Sequence, residues 1–151
     1  MSAIKTIRIS PQEMKSTFIK KLMVFDFSAE DAEKCATIFT ENSLDGVYSH
    51  GVNRFPRFVD YLKRGLVLPK NKPQLKKQMG VIEQWDGAMG AGPLNAFFAT
   101  NRALELAEEN GMGCIALSNT NHWMRGGYYG WQAAKKGYLY IGWTNTTAIM
   151  P

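Results

Sequence analysis

From Gly80 to the end of this 151-residue chain, strand-length apolar runs alternate with helix-length runs, and glycine punctuates them. Gly80 to Trp85 reads as a short strand. Gly87, Gly90 and Gly92 lead into Pro93 and a helix reaching about Asn110, where Gly111 stops it. Ala96, Ala99, Ala103, Leu104 and Ala107 give that helix small, close-packing positions. Cys114-Ile115-Ala116-Leu117 reads as a buried strand, Gly127 to about Lys136 as a helix closed by Gly137, and Tyr138 to Thr144 as a further strand. A β-α-β-α-β series of this kind predicts an α/β fold of packed layers.

The first 65 residues carry a different pattern. Ser10-Pro11-Gln12-Glu13 combines an N-cap, a proline suited to the first helical turn and a capping-box glutamate, and Met14, Phe18 and Leu22 then recur every four residues. Ser28 opens a second helix with Ala32, Cys35, Ala36 and Phe39 on one face, ending near Leu44 before Gly46. A third runs from about Arg54 or Pro56 to Lys63 and is stopped by Gly65. Residues 1–151 thus read as one unit, helical over about 1–65 and α/β over about 80–151. The final strand has barely ended at Met150-Pro151 and no helix follows to cover it, so the expectation is the N-terminal part of a longer chain.

Hydrophobic residues make up 45% and charged residues 21%, a balance that argues against disorder. No apolar run approaches the ~20 residues of a membrane span, and the N-terminus lacks a signal-peptide hydrophobic stretch. Two cysteines are too few for a disulfide scaffold; Cys35 lies on a helix's apolar stripe and reads as core. These features predict a cytoplasmic protein without a membrane partner. The net charge of +5 is concentrated in one stretch, where Lys63, Arg64, Lys70, Lys72, Lys76 and Lys77 stand with no acid between Asp60 and Glu83. No aromatic residue interleaves these lysines after Tyr61, which disfavours a nucleic-acid platform. A solvated loop, or a field that draws in anionic ligands, is the simpler reading.

The chain has two histidines. His50 lies in Ser49-His50-Gly51-Val52-Asn53-Arg54-Phe55, four residues before Arg54. Histidine is the natural proton donor or acceptor near neutral pH, and arginine grips a carboxylate with two hydrogen bonds. Reduction of a 2-oxo acid needs that combination, with Ser49 placed to orient the imidazole. A turn in which both side chains only satisfy nearby carbonyls fits the same residues. His122 comes after the predicted strand through Leu117 and precedes a helix, the position where α/β sheets carry ligands; Asn121, His122 and Arg125 offer donors there, although a capped turn is equally consistent. Gly87-Ala88-Met89-Gly90-Ala91-Gly92 matches neither the dinucleotide fingerprint nor a P-loop and reads as a strand-to-helix turn. Neither histidine has carboxylate neighbours at metal-ligand spacing, so no metal is expected.

The two long motifs, Ser49 through Phe55 and Asn121-His122 through Tyr128-Tyr129-Gly130, resemble those of the malate/L-lactate dehydrogenases that lack a Rossmann fold, and the resemblance runs from about Ser10 to Pro151. It implies reduction of a 2-oxo group with NAD(P)H (NAD first, NADP possible) by a homodimer acting on a small anionic substrate. By that resemblance His50 is the proton donor and Ser49 its hydrogen-bond partner. Arg54 helps to bind the substrate anion, and His122 lines the same pocket. The polar Arg125 suits a hydroxyl-rich sugar acid. Most of the cofactor contacts are expected beyond Pro151. The alternative is a non-catalytic dimerisation or binding module that lacks the cofactor half.

Overall fold

The computed structural model describes residues 7–145. Three helices form the base: α1 (Pro11–Met23), α2 (Ala29–Leu44) and α3 (Phe55–Lys63). Ser10 and Ser28 cap the first two, each accepting the N–H three residues on at 3.1 Å. Their buried faces meet in an aromatic cluster. Phe18 stacks on Phe55 with ring centroids 4.0 Å apart, and Phe39 stands edge-on to Phe55 at 5.1 Å. Cys35 is fully buried in this core, as its stripe position predicts.

The second half holds β1 (Gln74–Met79), β2 (Ile82–Asp86), α4 (Gly92–Asn110), β3 (Cys114–Ser118) and α5 (Gly126–Ala134). The sheet order is β1-β2-β3, with β1–β2 antiparallel and β2–β3 parallel. Helix α4 is the crossover between the parallel strands and ends at Gly111, whose φ of +83° is left-handed. Glu83, on the covered face of β2, is 1% exposed. It accepts both Nε and Nη2 of Arg102 on α4, and the Trp85 indole N–H at 2.8 Å. The α/β architecture expected from the sequence is present.

Three expectations are corrected. Tyr138–Thr144 forms no strand, because a strand needs a ladder partner and the described sheet ends at β3; Leu139, Ile141 and Trp143 there are strongly exposed. Cys114–Leu117 does form β3, but it is not buried: Ile115 and Leu117 face inward while Cys114 and Ala116 face out. Among the described elements α4 covers this sheet, on one face. The basic stretch is partly a strand rather than a loop, since β1 carries Lys76 and Lys77 and pairs with β2. Its charges are largely matched. Lys70 meets Asp26 at 3.2 Å, Lys76 meets Asp86 at 3.4 Å, Arg64 meets Asp60 at 3.6 Å, and Lys72 is paired with Asp31.

Candidate active site

Helix α2 ends in a Schellman motif: Val47 N–H reaches the Asn42 carbonyl at 2.9 Å, Gly46 N–H reaches that of Ser43 at 3.1 Å, and Gly46 has a φ of +77°. The chain leaves this cap directly into a 3-10 turn, Tyr48–His50. His50 and Arg54 are therefore not on one continuous helix. The histidine sits on the turn and Arg54 at the N-cap of α3, which Phe55, Phe58, Val59 and Leu62 anchor in the core. Gly51 between them packs against α2 so closely that a Cβ would stand 2.2 Å from Ser43 Oγ and 2.8 Å from its N. Ser43 Oγ uses the proximity, accepting Val52 N–H at 2.9 Å and donating to the Phe39 carbonyl at 2.8 Å.

The second histidine arrives from the loop after β3. Gly92 lets the first turn of α4 touch that loop; a Cβ there would lie 2.3 Å from the carbonyl oxygens of both Asn121 and His122. Asn121 Nδ2 donates to the carbonyls of Met89 and Gly90, both at 3.1 Å. The buried Asn95 Nδ2 bridges the Gly87 carbonyl and Thr120 Oγ1, both at 2.9 Å. Tyr129 is fully buried, stacks on Trp123 and donates its hydroxyl to the Trp123 carbonyl at 2.6 Å. Met124 takes a φ of +70°, costly for a residue that carries a Cβ. Burial of its side chain holds it there, and its N–H is aimed at His122 Nδ1, 2.9 Å away.

These two segments bring His50 and His122 together, with ring centroids 5.5 Å apart and planes 37° from parallel. Ser49 Oγ occupies His50 Nδ1 at 2.9 Å, leaving Nε2 as the nitrogen free for chemistry. His122 Nδ1 accepts a backbone N–H, so neutral His122 carries its proton on Nε2. Both rings are held neutral. Desolvation, then the Arg54 charge, lowers His50 below its ordinary value. His122 keeps an open side toward solvent, yet partial desolvation and then Arg54, His50 and Arg57 push it down to about 4. Arg54 has no carboxylate partner among the described residues, unlike Arg125, which is ion-paired to Asp45 at the end of α2. The site is thus an uncompensated cation beside two neutral imidazoles with a nitrogen each to offer. Among the described residues no group of three or more His, Cys, Asp or Glu is placed to hold a metal.

Sequence reasoning brought Ser49, His50, Arg54 and His122 forward. It missed Arg57, whose charge reaches His122 and whose Nε donates to Tyr61 Oη at 2.7 Å; the i, i+3 spacing from Arg54 was the available signal. The Gly87–Gly92 turn is a structural turn, as its sequence predicts. Within it Ala88 N–H donates to Asp86 Oδ1, Met89 N–H to the Asn119 carbonyl and Gly90 N–H to the Gly87 carbonyl. A cleft of about 820 Å³ between α2 and α4 lies away from the histidines, and its cations Lys34, Lys70, Lys72 and Arg102 are already ion-paired.

Fold and site together set two imidazoles beside an arginine at a strand end of an α/β layer, braced by a helical base. The chain belongs to the malate/L-lactate dehydrogenase family, whose profile matches residues 9–151. It is 48% identical over 145 residues to the 2,3-diketo-L-gulonate reductase of Salmonella newport and 49% identical to that of Mannheimia succiniciproducens. Each match covers 96% of this chain and 44% of the relative, so the chain spans less than half the length of these proteins. Among solved structures, malate dehydrogenase from Pyrococcus horikoshii superimposes with a TM-score of 0.84 at 30% identity, over 87% of this chain and 38% of that one. Sulfolactate dehydrogenase from Methanocaldococcus jannaschii gives 0.83 at 32% identity, over 86% and 38%. No helix among the described residues is long and apolar enough to cross a membrane.

Proposed function

We propose that this chain carries the proton-donor and anion-binding half of a reductase for sugar-derived 2-oxo acids, with 2,3-diketo-L-gulonate as substrate and 3-keto-L-gulonate as product. The observation that carries the reading is the convergence of His50, His122 and the uncompensated Arg54 from two distant segments. The near-half identity to diketogulonate reductases supports the substrate class. The reductant is a nicotinamide dinucleotide, NADH with NADPH as the second choice, which supplies hydride to the C2 carbonyl. The part proposed for the residues of this chain is to bind the substrate and to move the proton.

Arg54 binds the substrate carboxylate beside the reacting carbon. His50 donates the proton to the C2 oxygen through Nε2 while Ser49 fixes its ring. His122, neutral and protonated on Nε2, donates a hydrogen bond to the substrate. Arg125, resting on Asp45 through one terminal nitrogen, offers its remaining N–H groups to the hydroxyl-bearing end. The electrostatics couple binding to acidity. Desolvation and, after it, the Arg54 charge lower the His50 pKa in the free site; a bound carboxylate offsets the Arg54 part and so favours the protonated ring that must deliver the proton. Substrate binding therefore arms the acid. Turnover in the reductive direction falls as pH rises through the His50 pKa of the complex.

The test is NADH oxidation by the chain with diketogulonate and with pyruvate. Parent activity abolished by His50→Ala, in a variant that melts like the parent, is the expected result; undiminished turnover there sinks the acid role. Arg125→Ala is expected to weaken diketogulonate more than pyruvate, and equal losses overturn its assignment. The second reading is a dimerisation or binding module without turnover. Absence of NADH binding to this chain selects it. The enzyme is proposed to act as a homodimer, checked by sedimentation.

A further inference from the structure

The turn that carries His50 is only three residues long and has no side-chain cap of its own. Something else must hold it, because a proton donor misplaced by about 1 Å costs on the order of a hundredfold in rate. Asn42, in the last turn of α2, touches it at both ends. Its main-chain carbonyl accepts Val47 N–H at 2.9 Å where the turn begins, and its side-chain Nδ2 donates to the His50 carbonyl at 3.1 Å where the turn ends. The partner is a carbonyl, so the amide must present its nitrogen there. Asn42 is fully buried, and its Oδ1 finds no partner among the described residues. An orphan buried acceptor is costly, and a leucine of similar volume would avoid that cost. The polar group is explained by what the other half of the amide does.

We infer that Asn42 is a positioning residue for the proton donor, clamping both ends of the Val47–His50 turn so that the His50 ring meets Ser49 and His122. The next residue completes the clamp through Ser43 Oγ and Val52 N–H, just past His50. The assignment deepens the reductase reading and rests on it for its catalytic meaning, but its structural content can be read without turnover.

The experiment is long-range ¹H–¹⁵N NMR of the two histidine rings in the labelled 151-residue chain, as parent, Asn42→Leu and Asn42→Asp. Leucine keeps the volume and removes the donor; an ionised aspartate keeps the shape and removes the donor. The expected result is that His50 Nδ1 loses its hydrogen-bonded shift in both variants while His122, held independently by Met124 N–H, keeps its own. Unchanged His50 signals in both variants overturn the inference. So does a change spread over both rings and the backbone amides, which would make Asn42 an ordinary core residue. With turnover as a second readout, kcat is expected to fall at least tenfold with KM little changed. In Asn42→Asp the variant-to-parent ratio of kcat should climb as pH falls, because the buried carboxyl regains a donor when protonated. A ratio flat with pH refutes the clamp. If the parent turns over no substrate, the reductase reading fails while the ring spectra still decide the clamp.

Discussion

Replacing Gly92 with alanine tests the idea that α4 positions the His122 loop by backbone contact. The added Cβ would stand 2.3 Å from the carbonyl oxygens of Asn121 and His122 and 2.6 Å from the Asn121 carbonyl carbon. Relieving those contacts to about 3.4 Å requires a shift of roughly 1 Å. None of the atoms involved is the end of a flexible side chain. On one side lies the first turn of a 19-residue helix; on the other lies a loop tied down by Asn121, Asn95 and Tyr129. Overpacking of this kind costs about 1–3 kcal/mol. At roughly 2–4 °C per kcal/mol for a chain of this size, a cost near 2 kcal/mol lowers Tm by about 4–8 °C. The functional effect should be larger than the thermal one. A displacement of about 1 Å at the His122 carbonyl carries the ring with it, and turnover is expected to drop on the order of a hundredfold. Thermal unfolding by circular dichroism, the His122 ring resonances and NADH oxidation form the assay. A Gly92→Ala chain that melts with the parent and keeps its His122 signals would show that the loop is not held by this contact.

Other contacts set the remaining expectations. Arg102→Met strands the buried Glu83 carboxylate and should cost about 2–3 kcal/mol by denaturant unfolding, discounted because Arg102 is 28% exposed. Arg102 and Trp85 lower the Glu83 pKa, so their stabilisation is present above about pH 4.5 and lost as pH falls through the folded value; the gap between variant and parent should narrow in acid. Tyr129→Phe removes the donor to the Trp123 carbonyl and should cost about 1–3 kcal/mol by the same measurement. His122 should stay neutral down to about pH 4 by NMR titration. The folded chain then binds fewer protons than the unfolded one between about pH 6.5 and 4, so this residue removes stability as pH falls across that window. Arg54→Gln should raise the His122 midpoint, and an unmoved midpoint would exclude Arg54 as a cause.

Much of this was legible in the residues because the signals were local. The caps at Ser10 and Ser28, the glycine stop at Gly111, the every-fourth-residue stripe of α1 and the apolar stripe of α2 act within one or two turns, and each formed where expected. Strands were less legible, since a strand is completed by a neighbour that periodicity does not reveal. Tyr138–Thr144 has the right residue types, but the described sheet gives it no partner. Gln74–Met79, lysine-bearing and exposed along its length, found one in β2. Of the site residues, Ser49, His50, Arg54 and His122 stood out by chemistry. Their meeting did not, because 72 positions separate the two histidines and no local rule pairs them.

What pairs them is a division of labour between backbone and side chain. Each histidine-bearing segment is held by a glycine against a helix: Gly51 against the end of α2, Gly92 of α4 against the loop at Asn121 and His122. A glycine at such a place adds no chemistry, and the absence of its Cβ lets main chains approach to distances that any other residue would prevent. The polar residues beside them, Ser43 and Asn42 on one side, Asn121 and Asn95 on the other, spend their hydrogen bonds on main-chain groups and the Thr120 hydroxyl. The side chains left over are the ones with chemistry to offer, an Nε2 on each histidine and the guanidinium of Arg54. A site assembled this way tolerates change in its reactive groups far better than in its glycines. Substituting His50 should silence the reaction and leave the fold standing, whereas filling the space at Gly51 or Gly92 should disturb both.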